Sequence, residues 1–345
     1  MPFLAFFAAF LVAYAATPVA TWLATRHGFT DRPNPRRHGP LKPRLGGVAI
    51  YLAFVAGVLL VYPQMPDRTD VEQLKVLGII AGGLLVVVIG VVDDKLDLPP
   101  GPQFAAQLAA AAIAVACGII IDRVTNPFAT GLEDSLLLFP TWFAATFTVF
   151  WVVGSMNTIN FLDGVDGLAA GVVGIAAVIL AGHSWLLGQM TIMVLPLALA
   201  GACLGFLPFN FYPSKTIMGS CGSLFLGFAV GTLAVAGGTK AATLLLVLGL
   251  PLVDTAWTIG RRIASGQSPF HGDRSHLHHR LLALGLSETQ IVLGMYGASL
   301  ALGFLSLALS TRLAKLYAIS FMTLATLVLV ATLAYLGQRR LRPRP

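Results

Sequence analysis

The chain predicts an all-α, polytopic integral membrane protein of about eleven membrane-spanning helices, ten at the fewest. Three observations carry that expectation. Hydrophobic residues make up 57% of the 345 and charged residues only 11%, with a mean hydropathy of +0.82, a balance foreign to a water-soluble domain of this size. The apolar residues come in runs of roughly 17–23, the length a hydrocarbon layer demands. The charges collect between those runs. Lipid offers no partner to an unmade backbone hydrogen bond, so the runs cross as helices; a barrel would need short alternating strands, and none is seen.

The runs fall at 3–24, 45–62, 76–92, 104–121, 137–156, 168–187, 190–209, 224–238, 241–257, 291–310 and 314–336. The first has no basic leader and is long enough to span, so it reads as a first helix rather than a cleaved signal. The runs 224–238 and 241–257 nearly touch, and read equally as two short spans or as a broken helix. With the N-terminus outside and the C-terminus in the cytoplasm, the inner segments hold sixteen of the 22 Lys and Arg, as orientation by positive charge requires. One transmembrane domain, 1–338, then carries its loops 25–44, 93–103, 157–167, 210–223 and 258–290 on the cytoplasmic face, followed by a basic tail, 339–345.

The net charge of +7 sits mostly beside the membrane, where topology and anionic headgroups account for it, so nucleic acid is not an expected partner. Cys117, Cys203 and Cys221 form no CxxC pair, which indicates neither a disulfide framework nor a zinc ribbon. No internal repeat is apparent, which weakens a transporter reading.

The chemistry concentrates in the inner segments. Asn157, Asn160, Asp163 and Asp166 lie within ten residues, with Gly164 and Gly167 between them. Oxygen donors at that density suit a hard cation or a polar ligand, whereas helix capping would use one such residue rather than four. Asp93-Asp94 ends the third run; adjacent carboxylates there repel unless a cation compensates them, and they suit Mg²⁺ or a proton acceptor. The small residues Gly219–Ser223 precede a run, so their amides are candidates to meet phosphate oxygens, although plain turn chemistry explains them as readily. His271, Arg274, His276, His278 and His279 crowd one loop. Their spacing is poor for zinc and better suited to anionic phosphates.

Together these segments resemble the polyprenyl-phosphate N-acetylhexosamine-1-phosphate transferases, from about Arg32 to Leu284. The parts occur in family order: His38 with Pro43-Arg44-Leu45-Gly46-Gly47, then Asp93-Asp94, Asn157–Gly167, Pro251–Thr255, and Ser268–Phe270 leading to Asp273–Arg280. The last motif looks like the branch using UDP-N-acetylglucosamine rather than the muramoyl-pentapeptide branch. The resemblance implies an enzyme of the inner membrane that works on the cytoplasmic face. It would transfer N-acetylhexosamine-1-phosphate from a UDP-sugar to undecaprenyl phosphate, release UMP and initiate a cell-envelope glycan. It implies Mg²⁺ as cofactor, with Mn²⁺ as an alternative, and is compatible with a homodimer. By matched position, Asp93, Asp94, Asp163 and Asp166 would be catalytic, and Asn160, Asp163 and Asp166 would hold the metal. His38, Arg44, Asn157, Asp254, Arg274, His276, His278 and His279 would bind substrate.

Two positions depart from the family pattern. Ser220 stands where the family has its metal-binding Asp, and Gln103 where it has Lys. One acid and one base are lost together, and a serine hydroxyl is a poor Mg²⁺ ligand. Three readings follow: a transferase with a rearranged metal site, a relative that binds lipid or nucleotide without turnover, and a transporter of a phosphorylated lipid or sugar nucleotide. The surviving His, Arg and Asp motifs favour the first. The scarcity of ionisable residues inside the runs disfavours the third.

Overall fold

The computed structural model describes residues 1–31, 41–129, 136–238, 240–267 and 276–341, with the side chains of the last helix followed to residue 334. His38, Arg274 and the motif stretch 268–275 lie outside the described residues. Thirteen α-helices run in order: α1 (Phe3–His27), α2 (Gly46–Val61), α3 (Asp70–Leu96), α4 (Pro100–Ala116), α5 (Thr141–Leu162), α6 (Leu168–Leu186), α7 (Met190–Asn210), α8 (Gly219–Ala236), α9 (Ala241–Val247), α10 (Gly249–Ala264), α11 (Leu277–Ala283), α12 (Glu288–Ala308) and α13 (Arg312–Leu341). Two three-residue strands, β1 (Arg123–Thr125) and β2 (Leu136–Leu138), pair antiparallel between α4 and α5.

Among the described residues, nine helices are long and apolar enough to cross a membrane, and ten if α9 and α10 together make one span. The expected run 241–257 is therefore corrected: it breaks after seven residues and turns through 81°. Gly249 and Pro251 open α10, and proline lacks the N–H that would continue the α9 ladder across the junction. The expected run 104–121 is α4, only 17 residues long and shifted toward the motif-bearing end.

Helix boundaries also differ at the motifs. Asn157 and Asn160 belong to the last two turns of α5, because Ile159 and Leu162 continue its buried face. Asp93 and Asp94 lie in the last turn of α3, and Gly219–Ser223 form the first turn of α8.

Helix α8 occupies the centre, with every residue except Ser220 buried. Its motif-bearing end is packed by backbone rather than side chains. A Cβ on Gly47 would stand 2.1 Å from the Gly222 nitrogen, and one on Gly90 would stand 2.3 Å from the Cys221 Cα. Small residues thus draw the first turn of α2 and the last turns of α3 against α8 without intervening side chains. The strand-like stretch after Lys42 adds hydrogen bonds: Ile217 N–H donates to Pro43 O at 2.9 Å, and Gly47 N–H donates to Met218 O at 2.9 Å. Distant motifs are fixed at one end of the bundle by these contacts.

Candidate active site

A cavity of about 280 Å³ opens at that end, lined by Asp31, Arg44, Asn160, Asp163, Asp166, Ser220 and Ser223 among others. Its carboxylates are treated in three different ways.

Asp94 is used for structure. Its Oδ1 accepts from Ser220 N–H at 2.8 Å and its Oδ2 from Cys221 N–H at 3.2 Å. The residue preceding α8, Met218, supplies no side-chain cap, so a carboxylate from α3 satisfies amides that the helix start leaves open. Gly219 permits the approach: its φ is +71°, and a Cβ there would stand 2.4 Å from Asp94 Oδ2. Two of the α8 amides, those of Ser220 and Cys221, are thus filled by Asp94 rather than left for phosphate. The Arg44 Nε lies 3.6 Å from Asp94 Oδ1.

Asp166 is paired. Its Oδ2 accepts from Lys42 Nζ at 2.6 Å and from Ser214 N–H at 3.0 Å. Burial would raise its pKa, but the hydrogen bonds from Lys42 and Ser214 outweigh burial and hold the carboxyl below its ordinary value. A carboxylate so compensated has less charge to offer a metal than an open one.

Asp163 is open. It caps the C-terminus of α5 at the cavity wall, and its carboxyl makes no hydrogen bond or ion pair with the described residues. Burial pushes its pKa well above the ordinary value, the neighbouring Asp94 and Asp166 push the same way, and Arg44 only partly opposes them. Beside it, Asn160 Oδ1 accepts from Ser223 Oγ at 2.8 Å.

Asp93 lies outside this cluster. Its oxygens accept from Leu98 N–H at 2.9 Å and from Gln103 Nε2 at 3.2 Å. The Asn157 amide donates to Gln107 Oε1 at 2.7 Å and to Val153 O at 2.9 Å, tying α5 to α4, and it does not line the cavity.

The histidines reach the same loop from the other side. His276 Nδ1 is 2.9 Å from Asp254 Oδ2. The rings of His276 and His278 are parallel at 6.0 Å, and His278 meets His279 at 4.3 Å. A Cβ on Gly164 would stand 2.6 Å from His278 Nε2, a buried atom without a hydrogen-bond partner. Burial lowers the His278 pKa to about 3, with His279 and His276 adding to the effect, so this ring is neutral. Neither Asp254 nor His276, His278 or His279 lines the cavity itself, and Asp254 holds His276.

Sequence reasoning did not single out Asp31, Lys42, Asn210 or Ser214. Asp31 is placed by its N–H, which donates to Lys42 O at 2.8 Å. Asn210 clamps the Asp loop, accepting from Gly167 N–H at 3.2 Å and donating to Thr216 O at 3.1 Å. The position of Lys42, beside Pro43-Arg44, was the only available signal for it.

No group of three or more His, Cys, Asp or Glu is arranged to hold a metal by itself among the described residues. The hard oxygens of Asp163 and Asn160 nevertheless fit Mg²⁺, which takes one or two carboxylates and completes its shell with water and substrate phosphates. They do not fit zinc.

The profile of Glycosyl transferase family 4 matches residues 76–238. A probable undecaprenyl-phosphate N-acetylglucosaminyl 1-phosphate transferase of Bacillus subtilis (strain 168) is 37% identical over 85% of this chain and 80% of its own. A decaprenyl-phosphate N-acetylglucosaminephosphotransferase of Mycobacterium leprae (strain TN) is 34% identical over 83% and 78%. A phospho-N-acetylmuramoyl-pentapeptide-transferase of Desulforudis audaxviator (strain MP104C) is 33% identical over 87% and 95%. The chain belongs to glycosyl transferase family 4. It is a multi-pass membrane enzyme that transfers a sugar-1-phosphate onto a polyprenyl phosphate.

Proposed function

We propose that this protein transfers N-acetylglucosamine-1-phosphate from its UDP-sugar to undecaprenyl phosphate, releasing UMP. The reaction takes place on the cytoplasmic face of the inner membrane, as the first step of a cell-envelope glycan. The observation that carries the reading is the unpaired Asp163 carboxylate beside Asn160 and Arg44 in a polar cavity at the membrane end. Buried charge without a partner is costly, and it is retained where a ligand completes it.

Asp163 and Asn160 would hold Mg²⁺, with Mn²⁺ as a substitute. When bound, the ion supplies positive charge against the diphosphate, so that an anionic nucleophile can approach. The remaining work falls to the chain. The Arg44 guanidinium, whose Nε is buried without a hydrogen-bond partner, offers donors to phosphate oxygens. An oxygen of the lipid phosphate attacks the β-phosphorus, the bond to the bridging oxygen breaks, and UMP leaves with that oxygen. Asp93, neighboured by the neutral Gln103 amide, takes the proton that the lipid phosphate brings as a monoanion.

The direct test is UMP release by the purified protein with undecaprenyl phosphate, UDP-N-acetylglucosamine and Mg²⁺, with Ser220→Asp in parallel. Release by the native chain is the expected result. Silence from the native chain with release by Ser220→Asp would replace the proposal by a second reading, a binder without turnover. That reading draws on the neutral hydroxyl at Ser220, which borders the cavity without adding charge.

A further inference from the structure

Asp254 sits on the buried face of α10, and both its oxygens are committed to the entry of α11. Oδ2 lies 2.9 Å from His276 Nδ1, and Oδ1 accepts from Leu277 N–H at 3.0 Å. The two side chains are almost sealed, His276 at 6% and Asp254 at 7% exposure. Two further rings fix the plane of the imidazole. Phe161 stacks on it with centroids 5.0 Å apart and planes 27° apart, and His278 lies parallel at 6.0 Å. Phe161 lies in the last turn of α5 between Asn160 and Asp163, which both line the cavity, so the clamped ring packs behind the cavity wall. An ionised carboxylate only accepts, so the shared proton resides on Nδ1. That leaves Nε2 as the nitrogen with capacity for a ligand. His278 has no such carboxylate, and its Nε2 is buried against Gly164.

We infer that Asp254 is a positioning residue: it locks His276 in the Nδ1–H tautomer, so that Nε2 of this one histidine meets the phosphates of the sugar nucleotide. The inference rests on the transferase reading above. Its two oxygens allow the electrostatic role to be separated from the structural one. In Asp254→Asn the amide oxygen still accepts from Leu277, while the amide nitrogen donates where the carboxylate accepted. The ring must then carry its proton on Nε2.

The test uses the full-length protein in detergent, labelled with ¹⁵N-histidine, and His276→Ala identifies the ring signals. The native protein is expected to show His276 as Nδ1–H, and Asp254→Asn to show it as Nε2–H. With the melting temperature preserved, kcat for UMP release should fall roughly 10- to 100-fold, the usual range for groups that orient a functional histidine. KM for the UDP-sugar should rise as well, because the phosphate contact is made in the bound ground state, and Asp254→Glu should recover part of the rate. A native Nε2–H tautomer would overturn the inference even if the Asn variant failed to fold. So would an exchanged tautomer with unchanged kcat. If the native chain releases no UMP, the transferase reading fails by itself. UMP affinity then decides the inference: a loss in Asp254→Asn supports it, and unchanged affinity overturns it.

Discussion

The two ends of the bundle treat buried charge in opposite ways. At the end away from the motifs, Lys240 is 2% exposed, yet its ammonium donates to Ser184 Oγ at 2.7 Å and to Gln189 Oε1 at 2.8 Å. Lys75 there donates to Ala236 O at 3.2 Å, at the C-terminus of α8. Both cations complement the negative end of the central helix. At the motif-bearing end, Asp163 lacks a partner among the described residues, and Arg44 Nε and His278 Nε2 are buried without hydrogen bonds. The fold thus pairs its buried lysines at the far end, where the unmet groups are the neutral hydroxyls of Tyr62 and Ser306. At the motif-bearing end one charged group, the Asp163 carboxyl, is left open where a ligand is expected to arrive.

The largest effect should come from closing that difference at Asp163. Asp163→Asn is expected to lower UMP release about 10²–10³-fold, the scale for losing a group that stabilises transition-state charge. It should leave the protein as stable as before, or more so, at neutral pH. The sign follows from linkage. A carboxyl whose folded pKa is raised binds its proton more tightly in the native state, so stability falls as pH rises from about 3.9 through the folded value. The native protein should therefore melt lower in detergent as pH rises across that window, and Asp163→Asn should flatten the trend. An equal slope in both proteins would show that Asp163 is compensated.

Lys42 comes next, because it marks the boundary between paired and open charge. Lys42→Met strips Asp166 of the Lys42 cation while its carboxylate stays buried. The expected cost is about 2–4 kcal/mol in chemical unfolding at neutral pH. Asp166 has a depressed folded pKa, so the stability it contributes is present above pH ~4 and is lost as pH falls through the folded value. The penalty of Lys42→Met should shrink over that acid range.

How far the sequence revealed this contrast depends on the distance over which each contact acts. The apolar runs and the polar segments between them mark the membrane helices and one chemical face, since lipid imposes that pattern residue by residue. Asp93-Asp94 and the stretch Asn157–Asp166 were visible by density alone. Their different roles were not. Asp166 owes its pairing to a lysine 124 positions away, and Asp94 is consumed by amides of a helix start 126 positions away. Asn157 and Asn160 lie one turn apart, yet one faces Gln107 and the other Ser223, which spacing along a helix cannot decide. The 81° turn between α9 and α10 was concealed because the apolar run continues through it. Only Gly249 and Pro251 hinted at the break.

The smallest effect should come from the satisfied end, and it tests whether the contrast is real. Lys240→Met keeps the stem length but leaves Gln189 Oε1 without its donor, while Ser184 Oγ still bonds Leu180 O. One unmet buried acceptor and one lost cation at a helix end predict a loss of about 1–3 kcal/mol in unfolding. UMP affinity and kcat should be unchanged, because the cavity lies at the other end of α8. A drop in stability with intact chemistry would show that the paired charge serves the fold alone. A change in UMP affinity would mean that α8 transmits strain between its ends, so that the two regions could not be treated as independent.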